Sequence, residues 1–207
     1  MKIKNKIIAL MISLIAMPTF ALAKDGPYLG IKASNLKLNY DTIDGVDLNE
    51  IYDKKIRAYD YHIGYNTGSW FGEFAYLKSE TGNRNIVSVT SGIYTFTADT
   101  KIDFDGFRLG GGYNFKPSKE LSIKPFANIY RLDTNAKLTG TITDGEDTYS
   151  EDLWKISGKE TMIDAGLGIG YSFSENVSLE ASYSRSFKEI EDVDKIEMLS
   201  ISLKYNF

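Results

Sequence analysis

The chain contains no cysteine and a single histidine, His62. The missing thiols exclude a disulfide framework and any thiolate metal site. Helix signals are nearly absent after residue 24. Long apolar runs are missing too, apart from one at the extreme N-terminus, so the chain is not a helical membrane protein. It also lacks a basic surplus: it holds 24 basic and 28 acidic residues. A nucleic-acid binder needs cationic surface to neutralise phosphates, so that class is excluded.

The one apolar run has the pattern of a secretory leader. Lys2, Lys4 and Lys6 form a positive start, residues 7–17 an apolar stretch, Pro18 a break, and Ala21-Leu22-Ala23 the small residues a signal peptidase accepts. We expect cleavage between Ala23 and Lys24, making residues 1–23 a signal peptide and 24–207 one domain. No cysteine stands at the cleavage site to carry a lipid anchor. Removing the three leader lysines leaves 21 basic against 28 acidic residues, a net charge of −7.

What fills the rest is alternation with period two, the mark of strands. Tyr59, Tyr61, Ile63 and Tyr65 alternate with Ala58, Asp60, His62 and Gly64. Phe107, Leu109, Gly111 and Tyr113 alternate with small residues and Arg108, and the same holds for Ala165 to Phe173, Val177 to Phe187 and Leu199 to Phe207. One side is bulky and apolar; the other is Gly, Ser, Asn and single charges. The pattern predicts about eight strands, at 27–38, 56–66, 69–81, 101–115, 120–132, 160–173, 176–188 and 195–207. The apolar parity switches twice, between residues 33 and 36 and between 104 and 107. Each switch reads as a bulge or as the end of a membrane-spanning part.

The connections alternate in length. Residues 66–68, 116–119 and 174–176 read as tight turns, and 41–55, 82–100 and 133–159 as long loops; the fourth connection of the loop end, 189–194, is short. Short turns at one end and long loops at the other is the asymmetry of outer-membrane barrels, with turns in the periplasm. Tyr65, Tyr113, Tyr171 and Tyr205 each close an even-numbered strand, the first three running straight into a short turn. With Tyr28 and Trp70, which begin strands at that level, they predict an aromatic girdle at one membrane interface.

Alternation alone does not say which side meets a core. A soluble lipocalin-like barrel would turn its apolar side inward. The clustering of aromatics at strand ends, the small residues on the polar side and the terminal aromatic favour the opposite: an eight-stranded antiparallel up-and-down transmembrane β-barrel, lipid outside, polar lumen inside. In this respect the chain resembles the small outer-membrane β-barrel superfamily of the OmpA transmembrane domain, OmpX and the opacity-type surface proteins. The opening phrase Gly26-Pro27-Tyr28-Leu29-Gly30 is similar to that family's first strand. The resemblance further implies a C-terminal assembly signal read by the barrel-insertion machinery: Ser200, Tyr205 and Phe207 match it, with Ser202 where glycine is usual. We expect no peptidoglycan-binding domain after the last strand.

On this register the lumen-facing charges are Lys32, Asp60, His62, Glu73, Arg108, Lys124, Asp164, Glu180 and Lys204. In a narrow lumen they must pair or be hydrated, so they read as a polar plug or, alternatively, as a gate. Asp60 lies two residues before His62 on the same face, but no serine nucleophile is identifiable by motif, and no catalytic residue is assigned. The glycine runs at 110–112 and 166–170 open no helix and are not phosphate loops. The acidic stretches 41–53 and 144–152 lack calcium-loop spacing. No cofactor or metal is implied. The expected partners are outer-membrane lipid, lipopolysaccharide and the barrel-assembly machinery; an external ligand is not readable. Three functions stay open: a structural or adhesin-like surface role, a narrow porin-like channel, and a lipid A-modifying enzyme.

Overall fold

Alternating side chains leave the backbone no helical face to bury, and each strand needs neighbours for its exposed N–H and C=O groups. The computed structural model describes residues 25–40, 42, 43, 46–187 and 193–207. The leader with its cleavage site at Ala23 and Lys24, and most of the connection expected at 189–194, lie outside the described residues. The elements are β1 (Gly26–Tyr40), β2 (Thr42–Ile43), β3 (Val46–Asp47), the short helix α1 (Leu48–Ile51), β4 (Lys55–Asn66), β5 (Trp70–Ser79), β6 (Gly82–Ser91), β7 (Tyr94–Tyr113), β8 (Leu121–Thr143), β9 (Thr148–Ser172), β10 (Val177–Ser186) and β11 (Val193–Asn206).

β1 pairs with β4, β4 with β5, β5 with β7, and the series runs on through β8, β9, β10 and β11 back to β1, every pair antiparallel. These eight pairings form a ring, so the membrane-spanning part has no edge strand. β6 continues the line of β5 and pairs with β7 alone; the shift from Lys78↔Asp105 to Gly82↔Ile102 marks a one-residue irregularity between them.

Two of the three connections expected to be long loops take another form. Residues 82–100 and 133–159 are strand almost throughout. β8 runs for 23 residues and β9 for 25, and their hairpin turns only at 144–147. A tilted strand of about 9–11 residues suffices to cross a bilayer, so more than half of each projects beyond it. Their polar composition suggested loops, yet the Thr, Ser and charged residues of these segments still alternate with apolar ones and pair across strands. The first connection is the exception: β2, β3 and α1 fold back over the barrel mouth. Asp47 caps α1, its carboxylate accepting from the Asn49 N–H at 2.9 Å. Arg84 donates to the Asn49 and Tyr52 carbonyls, and Thr100 to that of Ile51 at 2.6 Å.

The two parity switches are not bulges. β1 and β11 keep one register from Tyr28↔Asn206 to Asn39↔Lys195, and β7 and β8 from Thr95↔Thr143 to Gly112↔Phe126. Even-numbered residues of β1 and β7 face inward all along. What changes is the medium outside. Leu29 and Ile31 face outward near the turn end, but Asn35 and Lys37 do so farther up, while Leu36, Leu38 and Tyr40 turn in. The inward apolar residues build one cluster from Leu36, Leu38, Ile56, Leu77, Ile102, Phe104, Leu132, Met162, Ile196, Met198 and their neighbours, capped by Leu48 and Tyr52. One continuous barrel is therefore inside-out in its lower part and conventionally apolar-cored above.

Candidate functional site

Beneath that apolar layer every barrel strand sends polar side chains into the lumen. Arg108 of β7 stands at the centre, 1% exposed, with its Nε donating to Asp60 Oδ2 at 2.8 Å and its Nη1 to Glu73 Oε2 and Asn128 Oδ1, each at 2.9 Å. Lys204 bridges Glu73 at 2.6 Å and Glu180 at 3.2 Å, and Lys124 meets Glu180 at 2.9 Å. Lys32 lies 3.9 Å from Asp60. Asp164 holds no cation; it accepts from Asn128, Tyr130 and Ser184 at 2.7, 3.0 and 2.8 Å. All nine residues expected in the lumen are placed there. The lumen set holds four carboxylates and four basic side chains beside His62, and three of the carboxylates are in ion pairs.

Tyr28 is corrected. It does not join the girdle; it is 2% exposed, inside the barrel, and donates its hydroxyl to Glu73 Oε1 at 2.8 Å. Its even number puts it on the same face as Lys32, and its ring lies over Gly64, where a β-carbon would collide with it. The neighbouring gap at Gly30 takes the His62 ring in the same way. His62 Nδ1 contacts Asp60 Oδ1 at 2.9 Å, while its buried Nε2 has no hydrogen-bond partner. Sequence reasoning also missed Asn128, Tyr130 and Ser184, whose inward parity was readable but whose neutral side chains gave no signal.

The remaining girdle residues, Tyr65, Trp70, Tyr113, Tyr171 and Tyr205, face outward at the turn end, with Trp70 edge-on to Tyr113 at 5.2 Å and Tyr205 edge-on to Phe207 at 5.3 Å. A second outward aromatic level was not anticipated: Tyr59, Tyr76 and Tyr183. Tyr59 donates to Glu80 and Tyr76 to Asp105, the first polar groups above them. Directly above runs a collar of outward basic residues, Lys37, Arg57, Lys78, Arg131 and Arg185, with Asp105 and Glu197 interspersed.

Above the collar only half of the wall continues. β6, β7, β8 and β9 rise as a four-stranded sheet, while among the described residues no strand pairs with β6 on its outer side or with β9 above Ile163. Its outer face is polar, in rows that cross all four strands: Thr90, Thr95, Thr143, Thr148, then Ser88, Thr97, Thr141, Ser150. Thr141 and Ser150 share a hydrogen bond of 2.9 Å, and the Asp152 carboxyl, held by Lys137 and Thr139, sits below the usual carboxylate range. The inner face is apolar. Its top row, Val89, Phe96, Ile142 and Tyr149, is 56, 38, 49 and 65% exposed, and Leu153, Trp154 and Ile156 extend it downward.

Two aromatic levels, apolar outward residues between them and a polar lumen define a β-barrel membrane protein. The chain belongs to the family of the outer membrane protein beta-barrel domain, whose profile matches residues 7–207. Among solved structures, Ail, the attachment invasion locus protein of Yersinia pestis, is similar at 16% identity, with 88% of this chain and 99% of that one covered and a TM-score of 0.51. The Neisserial surface protein A matches at 17% identity over 88% of this chain and 97% of that one, TM-score 0.49. The N-terminal barrel of Pseudomonas aeruginosa OprF matches at 14% identity, 88% and 99% coverage, TM-score 0.44. A comparison with curated protein sequences gave no match. The protein is thus an outer-membrane β-barrel protein.

Proposed function

We propose that the protein is a non-enzymatic surface-interaction barrel, adhesin-like in role, in which the spanning part is an anchor and the extracellular sheet makes the contacts. The observation that carries this reading is the apolar inner face of that sheet, held well above the membrane where no lipid covers it. An exposed contiguous apolar patch on an otherwise polar protein marks an interaction surface. The other two readings find less support. The lumen is filled at two levels, by ion pairs below and apolar side chains above, which leaves a channel no ready path. His62 Nε2 faces the Gly30 backbone with no hydroxyl bonded to it, which leaves an acyl-transfer enzyme no nucleophile.

In this reading the leader ending at Ala23 directs export, Tyr205 and Phe207 present the terminal strand to the assembly machinery, and the basic collar meets lipopolysaccharide phosphates at the outer leaflet. The test replaces residues 83–101 and 135–157 by short turns. The shortened barrel is expected to reach the outer membrane and to migrate differently in cold and boiled SDS samples, yet to lose attachment of the bacteria to surfaces. Unchanged attachment would remove the surface role.

A further inference from the structure

The extracellular sheet is half of a barrel. Four strands rise on one side of the mouth, and among the described residues the wall opposite, built by β10, β11, β1 and β4, ends lower. The inner face has the composition of a core: Val87, Val89, Phe96, Ile142, Leu153, Trp154 and Ile156 line it, all 38% exposed or more. α1 covers only the lowest rows, through Leu48 and Tyr52. With Tyr94 and Tyr149, the uncovered side chains present roughly 800 Å², the share each partner contributes to a standard protein interface. An area of that size suits the face of a folded partner.

We propose that the partner is a second copy of this chain, inverted and displayed by an apposed membrane. The inference rests on the surface-interaction reading and names its partner. Three features of the sheet make it self-complementary. The inner face carries few charges, Glu151 high and Glu160 low on β9 and Arg84 low on β6, the last engaged by the α1 carbonyls, so two such faces meet mainly through apolar side chains. Among the described residues the sheet has free edges on both sides, β6 and β9. A two-fold axis parallel to the membrane sets β9 antiparallel to the β9 of the second copy and β6 antiparallel to its β6, the hydrogen-bonding sense those edges need. The lower wall leaves the space that the second sheet fills. Two copies in one membrane are ruled out by direction: with their low walls together, the apolar faces stand about two barrel widths apart.

The test uses the full mature chain refolded in detergent and in liposomes of phosphatidylcholine. Expected are a concentration-dependent dimer spanning two micelles in analytical ultracentrifugation, and clustering of liposomes that carry outward-facing protein. Phe96→Asp with Ile142→Asp is expected to abolish both, while Thr97→Asp with Thr141→Asp on the outer face leaves both intact; heat-modifiable migration verifies that each variant is folded. Because the chain has no cysteine, Ile142→Cys supplies a unique label, expected to cross-link between differently marked liposomes and not within one. A monomer at all concentrations with no clustering, clustering indifferent to the inner-face variants, or cross-linking confined to one membrane would each overturn the proposal. If those results came with attachment still dependent on the two hairpins, the surface role would stand and only the second copy would fall.

Discussion

Arg108 and Asp60 meet across the lumen from strands that are not neighbours, β7 and β4, at 2.8 Å and with both side chains 1% exposed. The pair ties two walls of the barrel together over β5, whose Glu73 takes the same guanidinium. Removing one partner leaves buried charge uncompensated, which costs on the order of 3–5 kcal/mol. Arg108→Ala is therefore expected to lower the unfolding free energy in urea by about that much. The double variant Asp60→Asn with Arg108→Met keeps the lumen neutral and should be the more stable of the two. Strict additivity of the two losses would show that the residues do not act as a pair. Planar-bilayer recordings on Arg108→Ala also test the channel reading: traces indistinguishable from the unaltered protein would remove the gate.

Gly30 and His62 form a second coupled pair. A β-carbon at residue 30 would run into the imidazole, so Gly30→Ala should cost roughly 1–3 kcal/mol through overpacking. His62→Ala alone opens a void. Together the two changes exchange volume across one strand pair, and the double variant is expected to recover stability relative to Gly30→Ala. Denaturation of the four proteins under one condition gives the coupling energy, and a value near zero would contradict the contact.

The barrel was legible because a membrane β-protein writes its two media into alternate residues. Tyr59 to Tyr65 and Leu199 to Phe207 each carried the period over a full span, and all nine lumen charges followed from parity. The upper limit of the barrel was hidden for the same reason. Where the outside becomes water, the alternation inverts, so Leu36 and Phe104 broke the expected parity while the backbone kept its register. Strands rich in threonine, such as Thr139 to Thr143, hid as loops because their partners lie on other strands and composition alone signals polarity. The apolar inner face of the tall sheet could not be read in advance: Val89, Phe96, Ile142 and Tyr149 come from four strands, and only the register aligns them.

The inversion itself is testable. Phe104 and Phe107 are three residues apart on β7, one sealed in the upper core and the other 53% exposed toward lipid. Phe104→Ala removes a packed ring and should cost about 3–5 kcal/mol. Phe104→Asp should prevent stable folding of the upper barrel, whereas Asn35→Leu, facing water at the same level as the core residues, should change stability little. The checks are urea unfolding and proteolysis of the tall hairpins. Equal tolerance of Phe104→Asp and Asn35→Leu would refute the apolar-cored upper barrel.

The basic collar gives the remaining prediction. Arg57, Arg131 and Arg185 face outward one step above the last lipid-facing residues Tyr59, Ile129 and Tyr183 on their strands. Guanidinium groups at that depth reach the phosphates of an outer leaflet and pair with them through two hydrogen bonds. The rest of the chain is acidic, so this local surplus of positive charge is not a by-product of composition. Each basic group near an anionic membrane surface is worth about 1 kcal/mol. Adding lipopolysaccharide to the liposomes should raise the urea midpoint of the unaltered protein. The triple variant with Gln at residues 57, 131 and 185 should lose most of that gain while unfolding normally in phosphatidylcholine alone. High salt should weaken the gain as it screens the charges. If lipopolysaccharide stabilises both proteins equally, the phosphates are held elsewhere and the collar only prevents the barrel from sinking deeper into the bilayer.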